Sequence, residues 1–257
     1  MLVLGVCSLK GGVGKTSVTL GLASAAVARG VRTLVIDLDP QGDATMALGA
    51  DATDRSDVAA VLDDPRSSVV DRAIAPSSWA INGLDVMIGS ARSAAHDGPG
   101  SVDDLDRLAF AMSFVGPYEL VLLDCPPSLG GLTRAGLMAA GRAVIVTEPG
   151  LFAVMAVGRA MRTVDELRRG PARALQPLGV IVNRVRGRSV EQTFRLDELR
   201  TLYGPLVLSP VIPERAALQQ AQGAACGLHM WPGAAAAELA GIFDQLLDRV
   251  LRAPRTT

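Results

Sequence analysis

Short apolar runs rich in Val, Ile and Leu recur along the chain, and polar or helical segments separate them. Runs of this length with few polar positions are typical of strands that are buried on both faces of a parallel sheet. The runs are Leu2–Ser8, Thr33–Leu38, Leu84–Ile88, Leu120–Leu123, Ala143–Thr147, Leu178–Val182 and Leu206–Ile212. A strand, a helix and a second strand in this order form a βαβ unit, which implies parallel pairing.

Segments with a helical spacing of apolar residues lie between these runs. They are expected near Lys15–Arg29, Val102–Phe114, Gly131–Ala140, Phe152–Arg169 and Val190–Tyr203. Residues 51–79 are polar with short helical pieces, and residues 90–101 have the composition of a surface loop. The alternation predicts an α/β fold: a single domain over residues 1–257, with a doubly wound, mostly parallel sheet of about seven strands and helices on both faces.

The last helix is expected at Ala234–Leu251, where apolar residues fall on one face. Its polar face mixes acidic residues with arginines, whereas a helix that lies on a membrane surface has a mainly basic polar face. We therefore expect this helix to pack against the core of the domain.

Composition and charge narrow the classes of function. The formal net charge is −1 and the isoelectric point about 6.1, so nucleic acid would have to meet a local basic patch. The three cysteines are far apart, which gives no support to a zinc or iron–sulfur site. No basic segment precedes the first strand, and charged residues interrupt the longest apolar stretch, residues 143–161. We expect a cytoplasmic protein with no membrane association.

Lysine is almost absent from the chain. Of 25 basic residues only two are lysines, and these two, Lys10 and Lys15, lie close together. A compact ammonium group suits a tight phosphate-binding loop, where the wide planar fork of an arginine does not replace it. The distribution of lysine alone therefore indicates a phosphate-binding loop in this segment.

Both lysines belong to Lys10–Thr16, KGGVGKT, the phosphate loop, which separates a predicted strand from a predicted helix. Its glycines let backbone N–H groups approach phosphate oxygens, and the helix start adds positive potential. Lys15 can reach the β- and γ-phosphates, and the Thr16 hydroxyl can bind Mg²⁺. The strict pattern has glycine where this chain has Leu9, so a glycine-rich turn with an incidental lysine is the competing interpretation.

Carboxylates end two of the predicted strands. Asp124 follows an apolar run, where a residue that helps to hold Mg²⁺ is expected, although it could also simply cap the next loop. Asp37 and Asp39 end the second run, where a carboxylate can orient the attacking water or assist at the metal. Asp39 extends further into the loop and is the predicted catalytic carboxylate. Asp37 would adjust the coordination shell of the metal or the conformation of the loop. The predicted metal ligands are Thr16, Asp39 and Asp124.

The motifs KGGVGKT, DLDPQG and LLDCPPSLG, in this order and spacing, resemble those of the ParA-type partition ATPases. These proteins belong to the deviant Walker A group, which also includes MinD-type proteins. The likeness runs from Leu2 to about Gln220, and DPQG with DCPPS favours the ParA branch. It implies the P-loop NTPase fold, in the short form of the family without an N-terminal helix-turn-helix.

The resemblance implies a role for each matching residue. Lys10 matches the signature lysine, which reaches the nucleotide of the partner subunit in an ATP-sandwich dimer. Lys15 and Thr16 match the phosphate and Mg²⁺ ligands, Asp39 matches the residue needed for hydrolysis, and Asp124 matches the Walker B aspartate. The implied catalytic residues are Lys10, Lys15 and Asp39.

Two residues outside the phosphate loop complete the implied nucleotide site. Asn183, at the end of a predicted strand, matches the asparagine that reads adenine, although an amide there could equally form a turn. Pro213 matches the loop beside the base. The full nucleotide-binding set is Lys10, Gly11, Gly12, Val13, Gly14, Lys15, Thr16, Ser17, Asn183 and Pro213.

Members of the family dimerise with ATP, many then bind DNA without sequence preference, and a partner protein stimulates hydrolysis. The resemblance therefore implies a slow ATPase that uses ATP and Mg²⁺ and forms a homodimer in its ATP state. It would associate with non-specific DNA of the nucleoid and respond to a ParB-like or cargo adaptor protein. Such a switch positions or segregates DNA or a protein cargo.

Arginines near the end of the chain are the candidate DNA contacts. The predicted set is Arg184, Arg186, Arg188 and Arg215, with a solvated basic face as the competing interpretation. Many family members read IPRNVRLSEA after the last strand, whereas this chain reads IPERAALQQAQG. Glu214 and Ala217 stand where arginines are often found, so the resemblance does not support DNA binding through this particular loop.

Two other functions remain open. A membrane-cycling, MinD-like division-site regulator would need a basic amphipathic tail, and residues 252–257 make a poor one. A metabolic P-loop enzyme would need a substrate-specific acid or base near the γ-phosphate. His96 and His229 are the only histidines, and both are expected to be surface or packing residues.

Overall fold

The computed structural model describes residues 1–79 and 83–252, and its centre is one sheet of seven strands. The strands are β1 Leu2–Cys7, β2 Thr33–Asp37, β3 Ile74–Pro76, β4 Leu84–Met87, β5 Leu120–Asp124, β6 Arg142–Thr147 and β7 Gln176–Val182. Their order is β3-β4-β2-β5-β1-β6-β7. Every neighbouring pair is parallel except β3 with β4, which is antiparallel.

Ten α-helices accompany the strands within the described residues, and the last three of them follow β7. They are α1 Lys15–Ala28, α2 Asp43–Ala47, α3 Val58–Asp63, α4 Ser67–Ala73, α5 Val102–Ala111, α6 Gly131–Ala139, α7 Ala153–Arg169, α8 Val190–Tyr203, α9 Ala216–Gly223 and α10 Ala234–Arg252. Short 3₁₀ helices lie at Ala91–His96, Met112–Phe114, Gly204–Leu206 and Leu228–Met230.

Alternating strand residues divide the core into two layers, one on each face of the sheet. Leu4 and Leu122 pack with α1 and with Phe243 of α10 on one face. Val121 and Leu123 pack on the other face with α5, α6 and α7. The predicted doubly wound, mostly parallel α/β fold is confirmed, since helices cover both faces of a largely parallel sheet.

The prediction of a strand at Leu206–Ile212 is wrong. This segment runs beside β7 but makes only isolated bridges, Val180 with Val207 and Val185 with Pro213. Pro210 has no N–H to donate, so a continuous ladder cannot form there. The seventh strand is instead β3, a three-residue edge strand inside the polar stretch 51–79. A run this short carries no periodic signal, and Pro76 is tolerated because β3 is an edge strand.

The predicted C-terminal helix is confirmed, and its apolar face packs on the core. The buried residues of α10 include Leu239, Phe243, Leu246, Leu247 and Val250. The tail beyond Arg252, part of the segment judged a poor membrane anchor, lies outside the described residues. Of the helices in the described chain, none has the length and apolar character that a membrane span requires.

The strand order places one end of the sheet in a favourable position for a ligand. β1 lies between β5 and β6, and the chain leaves β1 towards β2 on one side and returns to β6 on the other. In doubly wound sheets, ligands bind at the carboxyl ends of the strands where the order reverses in this way. The phosphate loop follows β1 at this point.

Candidate phosphate-binding site

The phosphate loop connects β1 to α1 through two glycines in the left-handed region. Gly12 has φ 80° and Gly14, the N-cap of α1, has φ 83°, a conformation that other L-residues rarely adopt. Because the cap is a glycine, no side chain covers the start of α1. The first N–H groups of this helix therefore remain available to an anion.

A cavity of about 390 Å³ opens above this loop. Its lining includes every residue from Lys10 to Ser17, together with Asp39 and Arg184. The predicted loop residues and the predicted catalytic carboxylate thus share one cavity. Its polar lining and a helix N-terminus suit an anionic ligand.

A buried lysine joins two of the predicted carboxylates at the base of this cavity. The Lys15 ammonium lies 3.0 Å from Asp124 Oδ1 and 3.6 Å from Asp39 Oδ2. Burial disfavours the charged lysine, but the neighbouring carboxylates, Asp124 foremost, outweigh it and raise the pKa of Lys15. Lys15 therefore stays protonated, with N–H donors left for a ligand.

Asp124 accepts hydrogen bonds from three side chains of the site, Lys15, Thr16 and Thr19. Thr16 Oγ1 donates to Asp124 Oδ2 at 2.7 Å, and Thr19 Oγ1 donates to Asp124 Oδ1 at 2.8 Å. Asp124 itself is completely buried at the end of β5. Sequence reasoning missed Thr19, although it lies one helical turn after Thr16, where both hydroxyls share a face of α1. That spacing could have revealed it.

Asp37 lies beside Asp124, since the two residues are register partners on β2 and β5. Its Oδ2 accepts hydrogen bonds from Thr45 N at 2.8 Å and Thr45 Oγ1 at 2.7 Å. Its Oδ1 is buried without a hydrogen-bond partner among the described residues. Burial, and then the charge of Asp124, raise the pKa of Asp37 to about 7. Asp37 holds the start of α2 and leaves one carboxylate oxygen unpaired.

Lys10 points to a different neighbour from Lys15. Its ammonium forms an ion pair with Glu148, which follows β6, and its side chain is 56% exposed. Glu148 was not singled out from the sequence. It follows the strand next to β1, and the rule that carboxyl ends of parallel strands meet at one edge could have found it. Lys10 is therefore accessible at the rim of the site.

Asn183 and Pro213 lie on the other side of the phosphate loop. Both line a second cavity of about 260 Å³, together with Ser17 and Arg184. Asn183 is 2% exposed, and its Nδ2 donates to the Val13 carbonyl at 2.9 Å. The structure thus brings the two residues predicted near a base to one cavity, but the Asn183 amide is already bonded to the loop.

The four candidate DNA arginines have different surroundings. Arg184 donates to the Gly12 carbonyl of the phosphate loop. Arg186 forms an ion pair with Glu214, and Arg215 forms one with Glu238. Arg188 is exposed, and its side chain makes no hydrogen bond or ion pair within residues 1–79 and 83–252.

The cysteines and histidines form no metal-binding cluster in the part of the chain that the structure describes. Within it, no group of three or more His, Cys, Asp or Glu side chains could hold a metal by itself. Cys7 and Cys125 are buried free thiols, and burial raises the pKa of each; that of Cys7 rises to about 12. His96 pairs with Asp63, and His229 packs against Ser24; neither histidine lines the cavity above the phosphate loop.

Comparisons with known proteins agree with this geometry. A family model described as AAA domain matches residues 1–176. The chromosome-partitioning ATPase Soj of Thermus thermophilus is 32% identical over 222 residues, which cover 85% of this chain and 83% of Soj. The chromosome partitioning protein ParA of Caulobacter vibrioides is 29% identical over 231 residues, with the same two coverages.

A solved structure extends the similarity to the whole chain. Cobyrinic acid a,c-diamide synthase from Mycobacterium smegmatis, crystallised with an ATP analogue and magnesium, superposes with a TM-score of 0.80 and 26% identity. The superposition covers 100% of this chain and 98% of the synthase chain. With the family model spanning most of the sequence and Soj above 30% identity, the chain belongs to the ParA/Soj family of P-loop ATPases.

Proposed function

We propose that this chain is a switch ATPase that binds ATP with Mg²⁺, dimerises and positions or segregates a DNA or protein cargo. One observation carries the proposal. The phosphate loop opens on a cavity at whose base Lys15 contacts Asp124 and Asp39. Glycine backbone, helix start and ammonium are the donors that a triphosphate needs.

The residues at the base of this cavity fit Mg²⁺. This ion prefers oxygen ligands and keeps several waters together with substrate phosphates, so it does not need a cage of protein ligands. Thr16 offers a hydroxyl oxygen, with the Asp124 carboxylate directly behind it at 2.7 Å. Asp39 completes the proposed set, and Asp37 Oδ1 supplies an unpaired acceptor for an ordered water. When bound, the ion neutralises charge on the phosphate oxygens.

Hydrolysis is proposed to depend on Asp39. This carboxylate follows β2, lines the cavity and accepts a hydrogen bond from Gln41 N at 3.1 Å, which fixes the loop around it. A carboxylate held there can orient a water for attack on the terminal phosphate. Without a partner protein, the rate is expected to be slow.

Dimerisation is proposed to use the face that carries Lys10. Leu151, Phe152 and Met155 are 57%, 68% and 66% exposed there. The first two line a cavity together with Lys10. Exposed apolar side chains of this size beside the nucleotide cavity mark an interaction face. A second copy would cover them and let Lys10 reach its nucleotide.

The proposed role is the partition of a chromosome or plasmid, because the relatives named above are partition proteins. In the ATP state the dimer would bind arbitrary duplex DNA through a local basic patch and so associate with the nucleoid. A ParB-like or adaptor protein would then stimulate hydrolysis and release it. Arg188 is the arginine of the predicted set best placed to contact phosphates, since its side chain is exposed and makes no ion pair within the described chain.

Co-sedimentation with duplex DNA tests the whole cycle. An Asp39→Ala variant is expected to bind ATP, hydrolyse it at least roughly 100-fold more slowly and remain with DNA. Wild-type protein with ADP is the matched control and should not sediment. Loss of ATP binding in the variant, or sedimentation that ignores the nucleotide, would contradict the proposal.

A metabolic ATP-dependent enzyme is the second candidate, because the diamide synthase shares the fold over the whole chain. Incubation with ATP, ammonium and candidate carboxylic acids, followed by mass spectrometry, separates the two. A partition ATPase yields only ADP and phosphate, whereas an amide or phosphorylated product would support the enzyme.

For the MinD-like alternative, flotation with liposomes in the presence of ATP is the corresponding test. We expect the protein to stay at the bottom of the gradient.

A further inference from the structure

Two consecutive residues at the end of β7 hold two consecutive carbonyl groups of the phosphate loop. Asn183 Nδ2 donates to the Val13 carbonyl at 2.9 Å. Arg184 Nη1 donates to the Gly12 carbonyl. The sequence separation of 170 and 172 residues makes this a tertiary contact and not a local turn.

The two hydrogen bonds determine which way the loop presents its N–H groups. In a trans peptide the C=O and the following N–H point in opposite directions. With the Gly12 and Val13 carbonyls turned towards Asn183 and Arg184, the N–H groups of Val13 and Gly14 face the opposite side of the loop. Backbone N–H groups that converge in this way are what a phosphate-binding loop uses.

Contacts with neighbouring segments hold Asn183 and Arg184 in place at the end of β7. Asn183 N donates to the Thr147 carbonyl at 2.8 Å, and its side chain is almost fully buried. A Cβ at Gly14 would lie 2.3 Å from Asn183 Nδ2, so the amide packs directly against the loop backbone. Arg184 has φ 55°, a left-handed conformation that costs an arginine about 1 kcal/mol and persists only where surrounding contacts hold it.

We propose that Asn183 and Arg184 are positioning residues that clamp the phosphate loop in its phosphate-binding conformation. The inference rests on the proposed function, in which this loop binds the phosphates of ATP. It gives Asn183 a role in addition to reading adenine, because one N–H of its side-chain amide is used on Val13. It gives Arg184 a role other than binding DNA, because its guanidinium lies on the loop and lines the phosphate cavity.

Calorimetric titration with three magnesium-loaded probes tests the clamp: ATP, ADP and inorganic tripolyphosphate. Removing one clamping hydrogen bond in Asn183→Ala or Arg184→Ala should weaken all three about tenfold. Arg184→Lys, which keeps a charged donor, should recover part of the loss. Arg173→Ala is the matched control, since it removes an exposed arginine that precedes β7, at the opposite end of the strand from Asn183, and should leave all three affinities unchanged.

The comparison between probes separates the clamp from the alternatives. If Asn183→Ala weakens ATP and ADP but not tripolyphosphate, the asparagine reads the base and the clamp is wrong. If Arg184→Ala changes DNA retention and leaves every affinity intact, Arg184 is a DNA residue. If wild-type protein binds none of the probes, the proposed function itself fails.

A second measurement guards against a variant that loses its fold. Backbone ¹⁵N order parameters at Val13 and Gly14 in the nucleotide-free protein should fall in both alanine variants, while those in the buried centre of β5 stay high. Unchanged order parameters at these two amides would overturn the clamp independently of any ligand.

Discussion

The charged residues of this protein fall into two regions that differ in burial. At the ends of β1, β2 and β5, Lys15 contacts Asp39 and Asp124 with side chains at most 10% exposed. Beyond β7, Arg186 pairs with Glu214 through side chains that are 65% and 44% exposed. Both regions were singled out from the sequence by their charges, yet only the first is enclosed.

The difference shows what a charge in a sequence can indicate. A buried ammonium and its carboxylates lose hydration, so their geometry must be fixed by the strands that carry them. An exposed pair is screened by water and salt and constrains little. The cluster around Lys15 therefore has the fixed geometry that a binding site requires. The arginine surface carries fewer free charges than the sequence suggests, because Glu214 and Glu238 pair with two of its members.

The largest expected effect comes from removing the buried cation. Lys15→Ala leaves the Asp124 and Asp39 carboxylates without their partner, which should lower the free energy of unfolding by about 3 kcal/mol. Urea unfolding of the nucleotide-free protein measures the loss. Arg186→Ala is the matched control for an exposed pair and should leave the unfolding midpoint almost unchanged. Equal effects of the two substitutions would show that burial does not distinguish the regions.

A smaller effect is expected when an exposed arginine is released from its partner. Glu214→Ala frees Arg186, so the ATP-bound protein should bind duplex DNA roughly threefold more tightly at low salt. The slope of log affinity against log salt should steepen by about one, the contribution of one added phosphate contact. Fluorescence anisotropy with a labelled duplex checks both values. Weaker binding by the variant would mean that this surface does not face DNA.

The smallest effect concerns pH and lies away from both regions. Burial lowers the pKa of His229, and this outweighs the nearby Asp244 carboxylate. The folded state therefore takes up a proton at lower pH than the unfolded chain, whose histidine titrates near 6.5. The contribution of His229 to stability should fall as the pH drops below about 6.5 and level off below its folded-state pKa. The raised pKa of Asp37 acts in the opposite sense over this range, so the histidine is isolated by the difference between the wild-type and His229→Gln profiles in thermal unfolding. Identical profiles would refute the assignment.

Much of the fold could be predicted from the sequence because its strands are buried on both faces. Such strands read as continuous apolar runs, and six of the seven predicted runs coincide with strands. The error at 206–212 arose from the same signal. That segment is apolar because it packs beside β7, but Pro210 interrupts its hydrogen bonding. The edge strand β3 was missed since its three residues form no pattern.

The site was predictable where one motif fixes both residue type and position. The phosphate loop, Asp39 and Asp124 meet at the same cavity or its base, as strand ends must in a parallel sheet. Contacts between distant segments were not predictable. Nothing local relates Asn183 to Val13 or Lys10 to Glu148, because these pairs form only when β7 and β6 are laid beside β1.

Calorimetric titration of Mg-ATP into the purified protein tests the central claim most directly, with a Lys10→Ala, Lys15→Ala double variant alongside. If the phosphate loop and its two ammonium groups hold the triphosphate, wild-type protein binds one ATP per chain and the double variant binds none. If wild-type protein takes up no ATP, or if the double variant binds it as tightly as wild type does, the account is contradicted.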